Sequence, residues 1–184
     1  MDIVDAKVRS RMMAGIRSRN TGPELLVRKA LFSLGFRFRL HRRDLPGVPD
    51  VVLSGRRVAI FVHGCFWHQH SGCRYARLPA TRSAFWRDKL KGNCDRDERN
   101  LAALLGAGWR VLMVWECAVR SHSLDSSLKN ELADWVNGTE RVGEISGSTD
   151  WTAPEDHEQD IRSAWQDRAG RHFPPDDIVG FDSP

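Results

Sequence analysis

The chain has 184 residues, 41% of them hydrophobic, a size at which one domain can bury a core without disulfide help. No apolar run approaches the roughly 18–20 residues of a membrane helix, which excludes a helical membrane span. Residues 1–138 hold 24 Lys and Arg against 13 Asp and Glu, while residues 139–184 hold 4 against 11. The first part is therefore the electrostatic footprint of a polyanion binder, although charge alone does not separate that from a well-solvated basic surface.

Met1-Asp2-Ile3-Val4-Asp5 has no basic segment leading into an apolar one, so a cytoplasmic protein is expected, its four cysteines reduced or bound to metal. Thr21-Gly22-Pro23-Glu24 reads as a helix start: Thr21 caps, Pro23 suits the first turn, and Glu24 closes a capping box. The helix continues through Leu25, Val27, Leu31 and Leu34 and stops at Gly35. Phe36-Arg37-Phe38-Arg39-Leu40 alternates apolar and basic residues, the pattern of a half-buried strand. After the rigid turn at Leu45–Pro49, Asp50–Leu53 reads as a strand, Ser54–Arg57 as a hairpin turn and Val58–Val62 as a buried strand.

Gly64 to Thr81 is rich in His, Cys, Gly and Pro and lacks a period, hence a loop. Helical spacing returns from Ser83 to about Leu105, then Trp109–Trp115 is another buried strand, and Leu124–Val136 is a last helix. Helix, three strands, helix, strand, helix implies an α/β fold with a mixed sheet and helices on both faces. From residue 139 the chain is rich in Gly, Ser, Thr, Pro and acid; it reads as a variable, partly disordered tail with a short helix near 159–166. The organisation expected is thus a domain at 1–138 and an acidic tail at 139–184.

The densest chemistry lies in His63-Gly64-Cys65-Phe66-Trp67-His68-Gln69-His70-Ser71-Gly72-Cys73, with Trp115-Glu116-Cys117 far along the chain. Cys65, Cys73 and Cys117 with one histidine make a three-sulfur, one-nitrogen set, suited to a closed structural zinc site in a reducing cell. Cys94, mid-helix, reads as a small apolar residue. Asp50 at a strand mouth and Glu24 in a first helical turn offer hard oxygens for Mg²⁺. Beside His63 and His68, which can take or give a proton, they form a hydrolytic set. Phe66 and Trp67, adjacent in a loop, cannot easily both point inward; with Trp86 they suit a wedge into a base stack. Arg74, Arg77, Arg82, Arg87, Lys89 and Lys91 would then meet phosphates.

These strings resemble the very-short-patch-repair (Vsr) DNA mismatch endonucleases. The match runs over Thr21-x-x-Glu24, Pro46-Gly47-x-Pro49-Asp50, Ile60 through His68, Pro79-Ala80-Thr81-Arg82, Phe85-Trp86, Gly108–Val111 and Trp115-Glu116-Cys117, in order over roughly residues 5–138. The resemblance implies a restriction-endonuclease-like fold of the PD-(D/E)XK type: a mixed central sheet flanked by helices, with a structural zinc. Phe61 and His63 stand where that superfamily has its acid and lysine. It further implies that Asp50 holds Mg²⁺, with Val62 contributing its backbone carbonyl where the family usually has Thr. His68 takes the acid/base role, with His63 assisting and Glu24 near the metal's water. Cys65, His70, Cys73 and Cys117 correspond to the zinc ligands, the His70–Cys73 spacing being one residue longer than the usual form. Phe66, Trp67 and Trp86, joined by Met13, correspond to aromatics and a methionine that enter the DNA beside a T:G pair.

The function implied is a strand-specific DNA endonuclease that nicks 5′ of a thymine mispaired after 5-methylcytosine deamination and so starts very short patch repair. The partners implied are mismatched duplex DNA and downstream repair proteins, and an asymmetric lesion favours a monomer. A same-fold nuclease for another lesion or site, and a zinc-stabilised mismatch-binding module without activity, are the alternatives. Retention of Glu24, Asp50, His63 and His68 together argues against the second.

Overall fold

The computed structural model describes residues 19–121 and 126–147. The first helix among the described residues is α1 (Gly22–Ser33), opened by the expected capping box: Glu24 N–H donates to the Thr21 side chain and the Glu24 carboxylate accepts from the Thr21 backbone. Gly35 ends it with φ of 82°, a left-handed conformation that costs glycine little. Strands β1 (Val51–Leu53) and β2 (Val58–His63) follow, then helix α2 (Ser83–Gly106), strand β3 (Arg110–Trp115), helices α3 (Glu116–Ser121) and α4 (Ser126–Asn137), and strand β4 (Val142–Ile145).

The sheet order is β1-β2-β3-β4. β1 runs antiparallel to β2, joined through a short 3-10 turn at Ser54–Arg56 and a left-handed Arg57. β2, β3 and β4 are parallel, pairing His63 with Trp115 and Val114 with Ile145. Parallel neighbours need a crossover, which α2 supplies between β2 and β3. Because strand side chains alternate between faces, Val58, Ile60, Leu112 and Val114 join a core with Val27 and Leu31 of α1 and Leu128 and Leu132 of α4. Ala59, Val111 and Met113 turn to the other face, with Leu104 of α2 and Trp109. Mixed sheet and helices on both faces are the architecture the sequence predicts.

Three local expectations change. The segment Phe36–Leu40 is not a regular strand: only Arg39 bridges to Val52, because His41, at φ 47°, turns the chain before a ladder can extend. Six-residue α3 and four-residue β4 are too short to show a period. The sheet also extends past residue 138: β4, made of Val142-Gly143-Glu144-Ile145, is held by pairing with β3. A Cβ at Gly143 would overlap the Trp135 ring, so this strand sits where only glycine fits. The expected helix near 159–166, the rest of the acidic tail and Met13 lie outside the described residues.

Part of the positive charge is structural. Arg57 donates to the Ala107 carbonyl (2.6 Å), Arg141 to Leu105 (2.8 Å), and Arg110 to Trp135 (2.6 Å) and Val136 (3.1 Å). Each satisfies orphan carbonyls at the carboxyl end of a helix, where a cation is also favoured by the helix dipole. Among the described residues no helix is long and apolar enough to cross a membrane.

Candidate active site and metal centre

Asp50 precedes β1, and β2 ends at Val62 and His63, so antiparallel pairing brings all three to one end of the sheet. Asp50 Oδ2 accepts the Val62 N–H at 2.8 Å. Burial raises the Asp50 carboxyl from 3.8 to about 6; the Val62 N–H opposes the shift, the nearby Glu24 charge adds to it, and Arg28 and His68 oppose it. A carboxylate held so uncomfortably without a counter-ion suits a site built for a cation. Its Oδ1 faces His41 Nδ1 at 3.8 Å.

Glu24 is buried and its two oxygens accept from Asn20 N–H (2.9 Å), Thr21 N–H (3.3 Å), Thr21 Oγ1 (2.9 Å) and Arg28 Nη2 (2.6 Å). It is therefore first of all the cap and ion-pair partner of its own helix. Buried Arg28 also donates to Asn20 Oδ1 at 2.6 Å and lies 3.0 Å from His41 Nε2. An arginine cannot accept, so His41 Nε2 must, which puts the His41 proton on Nδ1, toward Asp50. Burial, and then the Arg28 charge, lower the His41 pKa and keep its ring neutral.

His63 is buried, and its Nδ1 has no hydrogen-bond partner; desolvation and the neighbouring His68 push its pKa well down. The His63 and His68 rings stack face to face, 3.8 Å between centroids and 7° between planes. His68 Nδ1 lies 2.6 Å from Asp97 Oδ2 on α2. The carboxylate fixes the Nδ1–H tautomer and leaves Nε2 as the basic atom. Although His63, His68 and Asp97 have ligand atoms within 4.8 Å of one another, a metal ion lies in the plane of the imidazole that binds it. Two parallel rings cannot both meet one ion that way, so the arrangement is a carboxylate-oriented imidazole pair rather than a chelate.

The loop beyond β2 is wound by its own backbone: His68 N–H donates to Gly64, His70 to Cys65 and Cys73 to His70. It brings Cys65, His70 and Cys73 to Cys117 of α3, all four buried, with ligand atoms within 4.8 Å of one another. His70 Nδ1 lies 3.3 Å from Cys117 Sγ and 3.7 Å from Cys65 Sγ. The edges of a tetrahedral zinc site with such ligands are about 3.5–3.8 Å, so the set fits zinc, and the histidine that joins the three cysteines is His70. Cys117 is pulled toward thiolate by the Cys65 thiol, by His70 and by the Gly147 N–H, which lies 3.4 Å from Cys117 Sγ. Cys94 stands outside the set, its Sγ 3.7 Å from the His68 carbonyl.

Phe66, Trp67 and Trp86 are half-buried, outside both cores, and meet edge to face at 5.1, 5.3 and 6.1 Å. Lys89 Nζ stands 5.7 Å from each tryptophan ring, and exposed Arg82 lies over Phe85. Phe66, Trp67, Phe85 and Trp86 form an apolar cluster with Arg82 and Lys89 over its rings, a set suited to a wedge. Asn93, one turn before Asp97, ties the base of the wedge by donating to the Trp67 carbonyl at 3.1 Å.

The structure thus brings together Asp50, Val62, His63 and His68 near Glu24, separately gathers the four zinc-type ligands, and sets the three aromatics beside them. Sequence reasoning missed Asp97, Arg28 and His41. Arg28 was findable as an i, i+4 partner of Glu24, and Asn93 with Asp97 form a polar i, i+4 pair on one helix face. His41 carried no local signal.

Residues 1–74 match a family model described as DNA mismatch endonuclease Vsr. The chain is 48% identical over 132 residues to the type II nicking enzyme V.XorIIP of Xanthomonas oryzae pv. oryzae, covering 71% of this chain and 96% of that protein. It is 42% identical over 139 residues to the DNA mismatch endonuclease Vsr of Escherichia coli, covering 74% and 88%. A third relative, the type II nicking enzyme V.NmeAIP of Neisseria meningitidis, is 40% identical over 131 residues, covering 71% and 93%.

Proposed function

The chain belongs to the Vsr family and is a DNA endonuclease, and from that premise we propose that it nicks one strand of duplex DNA 5′ of the thymine in a T:G mismatch. The observation that carries the reading is the His63–His68 stack with Asp97 behind it, beside a half-buried, cation-seeking Asp50. One relative's name specifies mismatch cleavage and two others' specify nicking, which supports a single-strand cut at a mispair.

Asp50 and the Val62 carbonyl would hold Mg²⁺, which would supply positive charge against the charge that builds on phosphate and leaving oxygen. His68 accepts the proton of the attacking water at Nε2, while Asp97 stabilises the imidazolium that forms. His63, its Nδ1 unpaired, holds a phosphate oxygen or assists that transfer. Arg28 fixes the Glu24 carboxylate by an ion pair at 2.6 Å, and the Glu24 charge reaches Asp50. Zinc on Cys65, His70, Cys73 and Cys117 would cross-link the loop to α3. Phe66, Trp67 and Trp86 then select weak pairs, since opening a stack beside a mismatch costs less than opening a matched one, by about a few kcal/mol at most. Arg82 and Lys89 meet the backbone phosphates, with Met13 entering from the N-terminal segment. The protein acts as a cytoplasmic monomer and leaves the nick to downstream repair proteins.

The test is nicking of T:G, matched and other mismatched duplexes with Mg²⁺, for wild type and Asp50→Ala. Cutting of T:G that needs Asp50 and Mg²⁺ is expected. Binding without cutting by the wild type would make it a sensor, and equal cutting of every duplex would remove the lesion assignment.

A further inference from the structure

One tryptophan joins the two centres. Trp115, 1% exposed, closes β3 and pairs in register with His63, which closes β2. Parallel register puts their side chains on the same face of the sheet. The indole meets the His63 ring edge-on, centroids 5.5 Å apart at 70°. Its face carries the His70 imidazole, stacked at 4.2 Å and 7°, and His70 is the nitrogen ligand of the Cys/His centre. Its Nε1–H donates to Glu144 Oε2 of β4 at 3.2 Å.

The ring is therefore held by a zinc-type ligand on its face, a carboxylate at its nitrogen and a histidine at its edge. His63 in turn stacks on His68, which Asp97 orients. The contacts run unbroken: Cys/His centre, His70, Trp115, His63, His68, Asp97. His63 makes no hydrogen bond through Nδ1, so its ring plane is set largely by the rings around it. Offset and edge-to-face aromatic contacts have preferred orientations, and close-packed interiors pass a displacement on rather than absorb it.

We propose that Trp115 is a positioning residue that transmits the geometry of the Cys65/His70/Cys73/Cys117 centre to the His63–His68 pair, so that zinc governs the rate of the cut as well as the stability of the loop. This rests on the catalytic roles given to His63 and His68. A misplacement of about 1 Å in a reacting site can cost on the order of a hundredfold in rate, so a small rotation of His63 suffices. Glu144 lies beyond residue 138, which places β4 in the same device.

The experiment compares zinc-loaded full-length wild type with Trp115→Leu, Trp115→Phe and Glu144→Ala. It measures zinc content, the imidazole NMR resonances of His63 and His68, and kcat and KM on a T:G duplex. Trp115→Leu should keep one zinc, shift both histidine resonances and lower kcat about tenfold or more, with KM changed less than about twofold. Trp115→Phe, which restores a ring, should recover most of the loss. Glu144→Ala, an exposed change, should move the same resonances less far. Unchanged resonances and kcat in zinc-loaded Trp115→Leu would overturn the proposal. So would a fall in kcat that merely follows zinc loss. If Trp115→Leu does not fold, Glu144→Ala decides, and unmoved histidine resonances there count against it. Cutting that survives His63→Ala and His68→Ala would instead refute their catalytic assignment, while the resonances still judge the coupling.

Discussion

Replacing Asp50 by Asn should stabilise the magnesium-free, zinc-loaded protein while abolishing its cutting. Burial lifts the Asp50 carboxyl from 3.8 to about 6, so the folded chain holds this proton more tightly than the unfolded chain does. Between about pH 4 and pH 6 the unfolded state ionises first, stability falls as pH rises, and the penalty is complete above the folded value. Two pKa units at about 1.4 kcal/mol each make the cost about 3 kcal/mol at neutral pH. At about pH 5 roughly half of it remains. Asn keeps an oxygen for the Val62 N–H and carries no charge, so Asp50→Asn should escape the penalty. In a chain of this size that corresponds to a rise in melting temperature of about 6–12 °C. Urea or thermal unfolding near pH 5 and pH 7.5 checks it. Adding Mg²⁺ should stabilise the wild type at neutral pH and leave the variant unmoved. A variant no more stable than wild type at pH 7.5, or an advantage that grows on acidification, would refute the reasoning.

Asp97→Asn should leave duplex binding intact but lower kcat about ten- to hundredfold, because an amide neither fixes the tautomer nor stabilises imidazolium at His68; single-turnover nicking measures it. Cys117→Ala should lose the zinc, measurable by metal analysis, and unfold at a markedly lower temperature; retention of a full zinc equivalent would contradict the assigned ligand set. Gly143→Ala should cost about 3 kcal/mol or more, since its Cβ meets the Trp135 ring, a rigid neighbour that cannot yield cheaply; denaturant titration checks it. Trp67→Ala should narrow the preference for mismatched over matched duplex by about tenfold, read as the ratio of kcat/KM values.

Sequence alone determined the features written in short-range chemistry. The capping box at Thr21–Glu24, the continuous apolar runs of β2 and β3 and the helical spacing of α2 each lie within one element, where local geometry dictates the pattern. The Cys/His loop with Trp115-Glu116-Cys117 was legible because thiolate and imidazole have few other reasons to cluster at such density. Tertiary structure decided the rest. β4 exists through its ladder with β3 and its close approach to Trp135, neither visible in Val142-Gly143-Glu144-Ile145. His68 and Asp97 are 29 residues apart in the chain, and only the return of α2 across the sheet joins them. The fate of the positive charge was also tertiary: Arg57, Arg110 and Arg141 finish helices, whereas Arg82 and Lys89 remain beside the aromatic wedge. A sequence counts charges and ligands, but the partner that gives each one its role is chosen by the packing of segments far apart along the chain.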